Sequence, residues 1–151
     1  MKTQRILASL LVVSLALLCL SVHAQITRPY RNGSVWDVAF IRIKPGMETA
    51  YLTYLTTDWK REQEALKSNG FSLSYKVLRT ESHNPNDFNI LLMTEFKDLA
   101  TLEANQRKMD ALGQQVIGSD QKQQQGYRER EAIREVLADR LAREIVLEPR
   151  P

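Results

Sequence analysis

The residue that most suggests chemistry is a carboxylate inside an apolar strand. Asp37 interrupts the run VWDVAFIRI at 35–43, whose β-branched and aromatic residues predict a strand. A buried carboxylate is costly unless it is paired, and Arg42, Arg79 and Arg143 lie on predicted strands within its reach. Two interpretations of Asp37 stay open: a structural ion pair or strand-end residue, and an acid of raised pKa in a ligand cavity.

The second candidate is His83, the one histidine after the first 24 residues. It lies in a polar segment with Asn84, Asn86 and Asp87 that predicts a turn, where an exposed histidine is ordinary. An imidazole can act as a general base or a metal ligand. One histidine without a second histidine or a cysteine is a poor transition-metal set, so no metal site is predicted.

Aromatic side chains form the third candidate set. Tyr51, Tyr54 and Trp59 lie on a predicted helix and Trp36 lies on the first strand. They can line a pocket for an apolar ligand, or they can simply fill the core and an interface. The predicted ligand-binding residues are Trp36, Asp37, Tyr51, Trp59 and His83.

Common catalytic signatures are absent from the sequence. There is no glycine-rich phosphate loop, G-x-S-x-G, C-x-x-C or H-E-x-x-H. No residue is therefore assigned a catalytic role and no cofactor is predicted. Whether the protein is an enzyme stays open, and binding without catalysis is favoured.

The first 24 residues have the organisation of a signal peptide. Lys2 and Arg5 precede the apolar run at 6–20, and a small-residue cleavage site ends at Ala24. We therefore predict an exported protein, periplasmic or extracellular, with no membrane contact after cleavage. Two alternatives are an uncleaved N-terminal anchor, although the run is shorter than a span of about 20 residues, and lipidation at Cys19.

Cleavage would change the charge and cysteine content. It removes two basic residues and no acidic one, which lowers the formal net charge from +3 to +1 for residues 25–151. A near-neutral chain lacks the basic stripe that nucleic acid requires, so no nucleic-acid partner is predicted. The single cysteine, Cys19, is also removed, so the mature fold holds no disulfide.

After this segment the sequence predicts one domain. Residues 25–33 form a polar leader whose Asn32 begins a glycosylation pattern, relevant only in a eukaryotic secretory route. A domain at 34–148 and a tail at 149–151 follow. The predicted elements are strand 35–43, helix 47–68, hairpin strands 71–80 and 88–96, a helix from Asp98 to about 116, a polar connector at 119–126, a short helix at 127–139 and a strand at 141–147, for which a helix is the alternative.

The first and third strands are apolar on both faces. A sheet with one wet face alternates apolar and polar residues, whereas FNILLMTEF at 88–96 does not. Leaving both faces apolar would expose a large hydrophobic patch. A symmetric copy of the sheet would cover it, so the sequence predicts a homodimer.

The strand VWDVAFIRIKPGM, the helix after it, the hairpin FSLSYKVLRT…FNILLMTEF and the helix from Asp98 resemble the dimeric α/β-barrel superfamily, which includes NIPSNAP-like, EthD-like and antibiotic-biosynthesis-monooxygenase-like domains. The resemblance implies an α+β fold: a ferredoxin-like β-α-β-β-α-β sandwich with an extra C-terminal helix, pairing as a dimeric α/β barrel. It also implies a ligand between sheet and helices. The Asn–Trp–His set of haem-degrading relatives is not matched.

Two functions of different classes follow. The first is an exported homodimer that binds a small apolar ligand or a protein partner without catalysis. The alternative is a cofactor-free, monooxygenase-like or EthD-like enzyme acting on an aromatic small molecule. A cavity above about 300 Å³ with Asp37 or His83 directed into it would favour the enzyme. A core filled by Trp36, Tyr51 and Trp59 would argue against it.

Overall fold

The computed structural model describes residues 28–148. The predicted signal peptide at 1–24, its cleavage site and the tail at 149–151 lie outside the described residues. The elements are β1 (Tyr30–Ile43), α1 (Glu48–Tyr54), a π-helical turn (Leu55–Trp59), α2 (Lys60–Ser68), β2 (Ser74–Arg79), β3 (Ile90–Phe96), α3 (Leu99–Val116), α4 (Asp120–Glu131) and β4 (Arg134–Leu147).

The four strands form one antiparallel sheet in the order β2-β3-β1-β4. Consecutive strands β2 and β3 form a hairpin, and β1 lies between β3 and β4. This is the split βαβ topology, so the predicted α+β ferredoxin-like fold is confirmed. The segment at 141–147, for which strand and helix were both open, is a strand.

The first helix consists of α1, the π-helical turn and α2 in continuous succession. At the turn, the hydroxyls of Thr53 and Thr57 donate hydrogen bonds to the carbonyls of Thr49 and Thr53, each four residues earlier. Such bonds compete with the backbone ladder and are typical where a helix is distorted. The π-helical turn buries both Leu55 and Trp59.

The core lies between the first helix and one face of the sheet. Its buried members are Ile41, Tyr51, Leu55, Trp59 and Ile90. A buried hydrogen bond also joins helix to sheet, because the Thr94 hydroxyl donates to the Gln63 side-chain oxygen at 2.9 Å. Since Ile41 faces the helix, alternation along β1 directs Trp36, Val38 and Phe40 to the opposite face.

Two predictions in the C-terminal third were wrong. The polar connector at 119–126 is instead the body of α4, which begins where Ser119 accepts a hydrogen bond from the backbone N–H of Lys122. The helix predicted at 127–139 ends at Glu131, and β4 already begins at Arg134. Pairing with β1 explains the difference, because β4 lies against β1 from Ile43 back to Tyr30.

The N-terminal boundary also differs from the prediction. β1 begins at Tyr30, so the end of the predicted leader at 25–33 belongs to the strand. The pairing of β1 with β4 shifts register near Gly33. A Cβ atom added at Gly33 would lie 2.4 Å from a carboxylate oxygen of Glu144. Ser34 donates hydrogen bonds to that carboxylate through its backbone N–H and its hydroxyl. Gly33 therefore permits this close approach between strands.

Candidate functional site

A cleft of about 470 Å³ lies between the helix-covered face of the sheet and α3; we call it the sheet–helix cleft. The sheet contributes Asp37, Phe96 and Leu141, and the first helix contributes Glu62 and Leu66. The remaining lining residues lie on α3 and α4: Leu99, Leu102, Glu103, Gln106, Met109, Asp110, Gly113 and Gln123. Six of these lining residues have apolar side chains, and four carry carboxyl groups: Asp37, Glu62, Glu103 and Asp110.

The cleft exists because α3 does not pack tightly on the sheet. Asp98 caps this helix by accepting a hydrogen bond from the Thr101 backbone N–H at 2.7 Å. The helix then carries an apolar stripe that includes Leu102 and Met109, yet none of its residues is buried. An amphipathic helix normally buries such a stripe. Here the stripe remains half-exposed and forms one wall of the cleft.

Asp37 is the titratable group on the floor of the cleft. Its register partners are Thr94 on β3 and Leu141 on β4. Burial raises the pKa of Asp37 to about 7, and the hydrogen bond and negative charge of Asp139 add to that rise. Near neutral pH this carboxyl therefore exchanges between a protonated form that donates a hydrogen bond and a charged form that accepts one.

Glu62 is the second carboxyl group of the cleft. Burial raises the pKa of Glu62, and the positive charge of Arg130 partly opposes that rise. Asp37 and Glu62 line the same cleft from the sheet and from the first helix. A bound molecule would therefore meet these two partly desolvated acids, the exposed acids Glu103 and Asp110, and six apolar side chains.

The structure separates the five residues proposed from the sequence. Tyr51 and Trp59 lie in the core, with 0% and 8% of their surface exposed. Trp36 lies on the opposite face of the sheet, where the Lys76 ammonium is 4.9 Å from its ring centre. His83 lies in the loop between β2 and β3, where its backbone N–H donates to Asp87. Asp37 is the one member of this set that lines the cleft.

Sequence reasoning missed most of the cleft. In the sequence, Leu102 and Met109 lie on the apolar face of a predicted helix, and that pattern does not distinguish a face against a core from a face against a cleft. Charged residues surround Glu62 in the sequence, which is typical of a solvated surface. The missing information is the distance between α3 and the sheet.

The other face of the sheet carries an apolar surface, which we call the open face. Its apolar residues are Trp36, Val38, Phe40, Leu78, Leu91 and Met93. The same register places Lys76, Glu95 and Arg140 on this face, and Val38 is already buried. The Phe88 ring packs edge-on against Phe40 at 5.0 Å between ring centres. The first helix and α3 both lie against the opposite face.

Within residues 28–148, no three histidine, cysteine or carboxylate side chains are grouped as a metal site. Over the same part of the chain, no helix combines the length and apolarity needed to cross a bilayer.

Among solved structures with a similar chain path are three proteins of low sequence identity to this chain. A NIPSNAP family protein of unknown function from Agrobacterium tumefaciens is 17% identical, with 79% of this chain and 93% of that chain covered and a TM-score of 0.48. A dimeric ferredoxin-like protein from an uncultured marine organism is 10% identical, with 79% and 92% covered and a TM-score of 0.49. HapK from Hahella chejuensis is 10% identical, with 73% and 91% covered and a TM-score of 0.46. No protein-family model and no curated protein matches the chain.

The pKa of Asp37 predicts a pH-dependent effect of the substitution Asp37→Asn. Folding raises the pKa of Asp37 from 3.8 to about 7, so the folded state favours the protonated carboxyl. The contribution of Asp37 to the free energy of unfolding therefore becomes more unfavourable as the pH rises from about 4 to about 7. We expect Asp37→Asn to stabilise the protein more at pH 8 than at pH 5, by roughly 1–2 kcal/mol after allowing for solvent screening. Urea denaturation of both proteins at the two pH values measures this difference.

The control for this prediction is Glu81→Gln, which removes an exposed carboxylate outside the cleft. If Glu81→Gln gives the same pH-dependent gain, general negative charge and not the burial of Asp37 is responsible. An equal effect of Asp37→Asn at pH 5 and pH 8 would also contradict the prediction.

Proposed function

We propose that the protein is an exported homodimer that binds a small apolar molecule in the sheet–helix cleft. The observation that supports this function best is the cleft itself. Its volume of about 470 Å³ lies within the usual range for small-molecule sites, and six of its lining residues are leucine, methionine or phenylalanine. Ligand sites generally combine such apolar walls with a few polar groups that fix orientation.

The polar groups of the cleft indicate the kind of molecule. A protonated Asp37 has one hydrogen to donate, which Asp139 accepts in the free protein, so a ligand carbonyl or hydroxyl oxygen fits beside Asp37 by taking the place of Asp139 as acceptor. An anionic group there would face the charges of Glu62 and Asp139 and would be repelled. The ligand we propose is therefore a neutral, mainly apolar molecule with one oxygen function at its inner end.

The proposed homodimer is supported by the open face. Phe40 and Leu91 are paired in register at the centre of the sheet, and Leu78 lies next to Leu91 on β2. A monomer would leave this apolar surface in contact with water. A second copy related by a two-fold axis presents the same surface and would cover it. Export is supported by the N-terminal pattern of residues 1–24 alone.

Native mass spectrometry of the protein purified from its own host tests export, dimer formation and ligand binding in one experiment. We expect a particle of two chains, each lacking residues 1–24, with a small molecule released on activation in the gas phase. Asp37→Asn keeps a hydrogen-bond donor and should retain the ligand, whereas Asp37→Leu removes the donor and should lose it. A ligand that survives Asp37→Leu would place binding elsewhere, and an empty wild-type protein that also binds no apolar probe would refute the function.

A cofactor-free enzyme acting on an aromatic small molecule is the second candidate. The observation that favours it is the pKa of Asp37, about 7, in a cleft of sufficient volume, because a general base works best with a pKa near the working pH. Oxygen uptake with a panel of hydroxylated aromatic compounds tests it. Turnover that falls to background in Asp37→Asn would establish the enzyme, and no turnover with any compound would leave binding as the function.

A further inference from the structure

A second cavity adjoins the sheet–helix cleft. This outer cavity has a volume of about 800 Å³ and lies between the first helix and α4. Glu62 on the first helix and Gln123 on α4 line both the outer cavity and the cleft, and both residues are half-buried. The two cavities therefore meet at these side chains, and a molecule bound in the cleft can extend past them into the outer cavity.

A glycine inside helix α3 borders this junction. Gly113 lines the cleft, and the nearest atom that an added Cβ would meet is the Gln123 side-chain nitrogen at 4.0 Å. Glycine disfavours a helix relative to alanine, and packing does not require it here, because that distance is an ordinary contact. The Gln123 amide is itself held by donating a hydrogen bond to the Gly118 carbonyl at 2.9 Å. The missing side chain at Gly113 thus leaves space beside Gln123 on the α3 side of the junction.

The outer cavity differs from the cleft in its chemistry. Among the described residues that line it, ten have charged or amide side chains and the one aliphatic residue is Ile117. Four of the ten are carboxylates and three are cations, so the charges nearly balance. A hydroxyl group both donates and accepts hydrogen bonds, whereas a carboxylate only accepts and an ammonium only donates. A neutral group with several hydroxyls therefore matches this mixture of partners better than an ion of either sign.

The polar side chains of the outer cavity hold one another in place. Arg61 donates a hydrogen bond to Asp58 at 2.9 Å, and Gln125 donates one to Glu129 at 2.8 Å. A carboxylate has two oxygens and can accept several hydrogen bonds, so both acids retain acceptor capacity for a ligand. Side chains that are ordered before binding lose less conformational entropy when a ligand arrives.

Two tyrosine rings complete the wall of the outer cavity. The Arg130 guanidinium lies 4.6 Å from the ring centre of Tyr54. The Arg134 guanidinium lies 5.3 Å from the ring centre of Tyr127, which leaves Tyr127 46% exposed. An exposed tyrosine ring offers a flat apolar area against which the C–H face of a sugar ring packs.

We propose that the protein binds a neutral glycoside of an apolar molecule, with the apolar part in the sheet–helix cleft and the sugar in the outer cavity. This inference rests on the proposed binding function and names the class of its ligand. The apolar part is the molecule described above, with its oxygen function beside Asp37. The sugar follows the junction between Glu62 and Gln123, packs against Tyr127 and forms hydrogen bonds with side chains such as Glu129.

Methylumbelliferyl glucoside tests this proposal, because it joins a neutral coumarin with a carbonyl oxygen to a glucose unit. Methoxy-methylcoumarin is the matched compound without the sugar, and methylumbelliferyl glucuronide carries a carboxylate in place of the hydroxymethyl group. In calorimetric titrations of the protein produced from the full-length sequence, the glucoside should bind at least about tenfold more tightly than either of the others. Equal affinity of methoxy-methylcoumarin would overturn the sugar site, and equal affinity of the glucuronide would overturn its preference for a neutral group.

Variants assign the sugar to the outer cavity. Tyr127→Ala should weaken glucoside binding at least about fivefold and leave methoxy-methylcoumarin binding unchanged. Gln121→Ala, an exposed position on α4 outside the outer cavity, should change neither affinity. Leu102→Glu in the cleft should weaken the binding of both compounds, because the apolar part anchors both. Glucoside binding that is unaffected by Tyr127→Ala, or that survives Leu102→Glu, would contradict a single ligand across the two cavities.

The titrations separate failure of this proposal from failure of the proposed function. If methoxy-methylcoumarin binds in the cleft and the glucose unit adds no affinity, the glycoside is refuted and the cleft remains a binding site. If neither coumarin binds while another apolar fluorescent probe does, the result is the same. If no apolar probe binds at all, both proposals are refuted.

Discussion

Replacing Leu91 with glutamate is expected to convert the proposed dimer into a monomer. Leu91 lies on β3 at the centre of the open face, between Phe40 on β1 and Leu78 on β2. In a symmetric dimer the substitution buries two carboxylates among apolar side chains, at a cost of several kcal/mol. Light scattering coupled to size exclusion at micromolar concentration should show the mass halved relative to the wild type.

The matched control is Val77→Glu. Val77 lies on β2 next to Leu78 but points to the other face of the sheet, and it is 40% exposed. We expect this variant to remain a dimer. A wild-type protein that is a monomer at micromolar concentration would contradict the argument from the two-faced strands, and so would a Leu91→Glu variant that stays dimeric.

A second large effect is expected for Leu102→Glu in the sheet–helix cleft. Leu102 lines the cleft and is half-exposed, so a glutamate there can remain hydrated and the free energy of unfolding should change by less than about 1 kcal/mol. Its charge would occupy an apolar wall beside Asp37 and Glu62. We expect the affinity for an apolar ligand to fall at least about a hundredfold, as measured by titration with an environment-sensitive fluorescent probe.

Leu73→Glu serves as its control, because Leu73 is a 50% exposed leucine outside the cleft. This variant should bind the probe as the wild type does. If Leu102→Glu and Leu73→Glu lower the affinity equally, the probe binds to exposed apolar surface in general and not to the cleft. Full binding by Leu102→Glu would place the ligand elsewhere.

The order of the elements was predictable because apolar periodicity is strong in the first half of the chain. The strand through Ile41, the helix through Tyr51 and Trp59, and the hairpin before Phe96 all have patterns that packing enforces. These residues form or flank the core, so pattern and structure agree. The split βαβ topology then follows from the order of strands and helices.

The C-terminal third was less predictable because its elements bury little. Helix α4 has no buried residue, so its sequence carries no apolar stripe that would identify it. The start of β4 is rich in charge, and alternate residues such as Glu135 and Leu137 are exposed. Pairing with β1, and not side-chain burial, holds this strand in place. A contact distant in sequence decided the structure, and a local pattern does not reveal it.

Of the residues that line the candidate site, only Asp37 was predicted from the sequence. Asp37 stood out because it interrupts an apolar strand, and such a carboxylate requires a physical explanation. Trp36 and Trp59 are equally apolar in the sequence, yet they lie on opposite faces of the sheet, one on the open face and one in the core.

The π-helical turn at Leu55–Trp59 sets the rotational phase of everything after it in the first helix. An α-helix advances about 100° per residue, so one residue removed from this turn would rotate α2 by about that angle relative to α1. Glu62 and Leu66, which line the cleft, would then face away from it, while Tyr51 on α1 would keep its place in the core. One extra residue in a single turn thus allows the same helix to place Tyr51 in the core and Glu62 and Leu66 on the wall of the cleft.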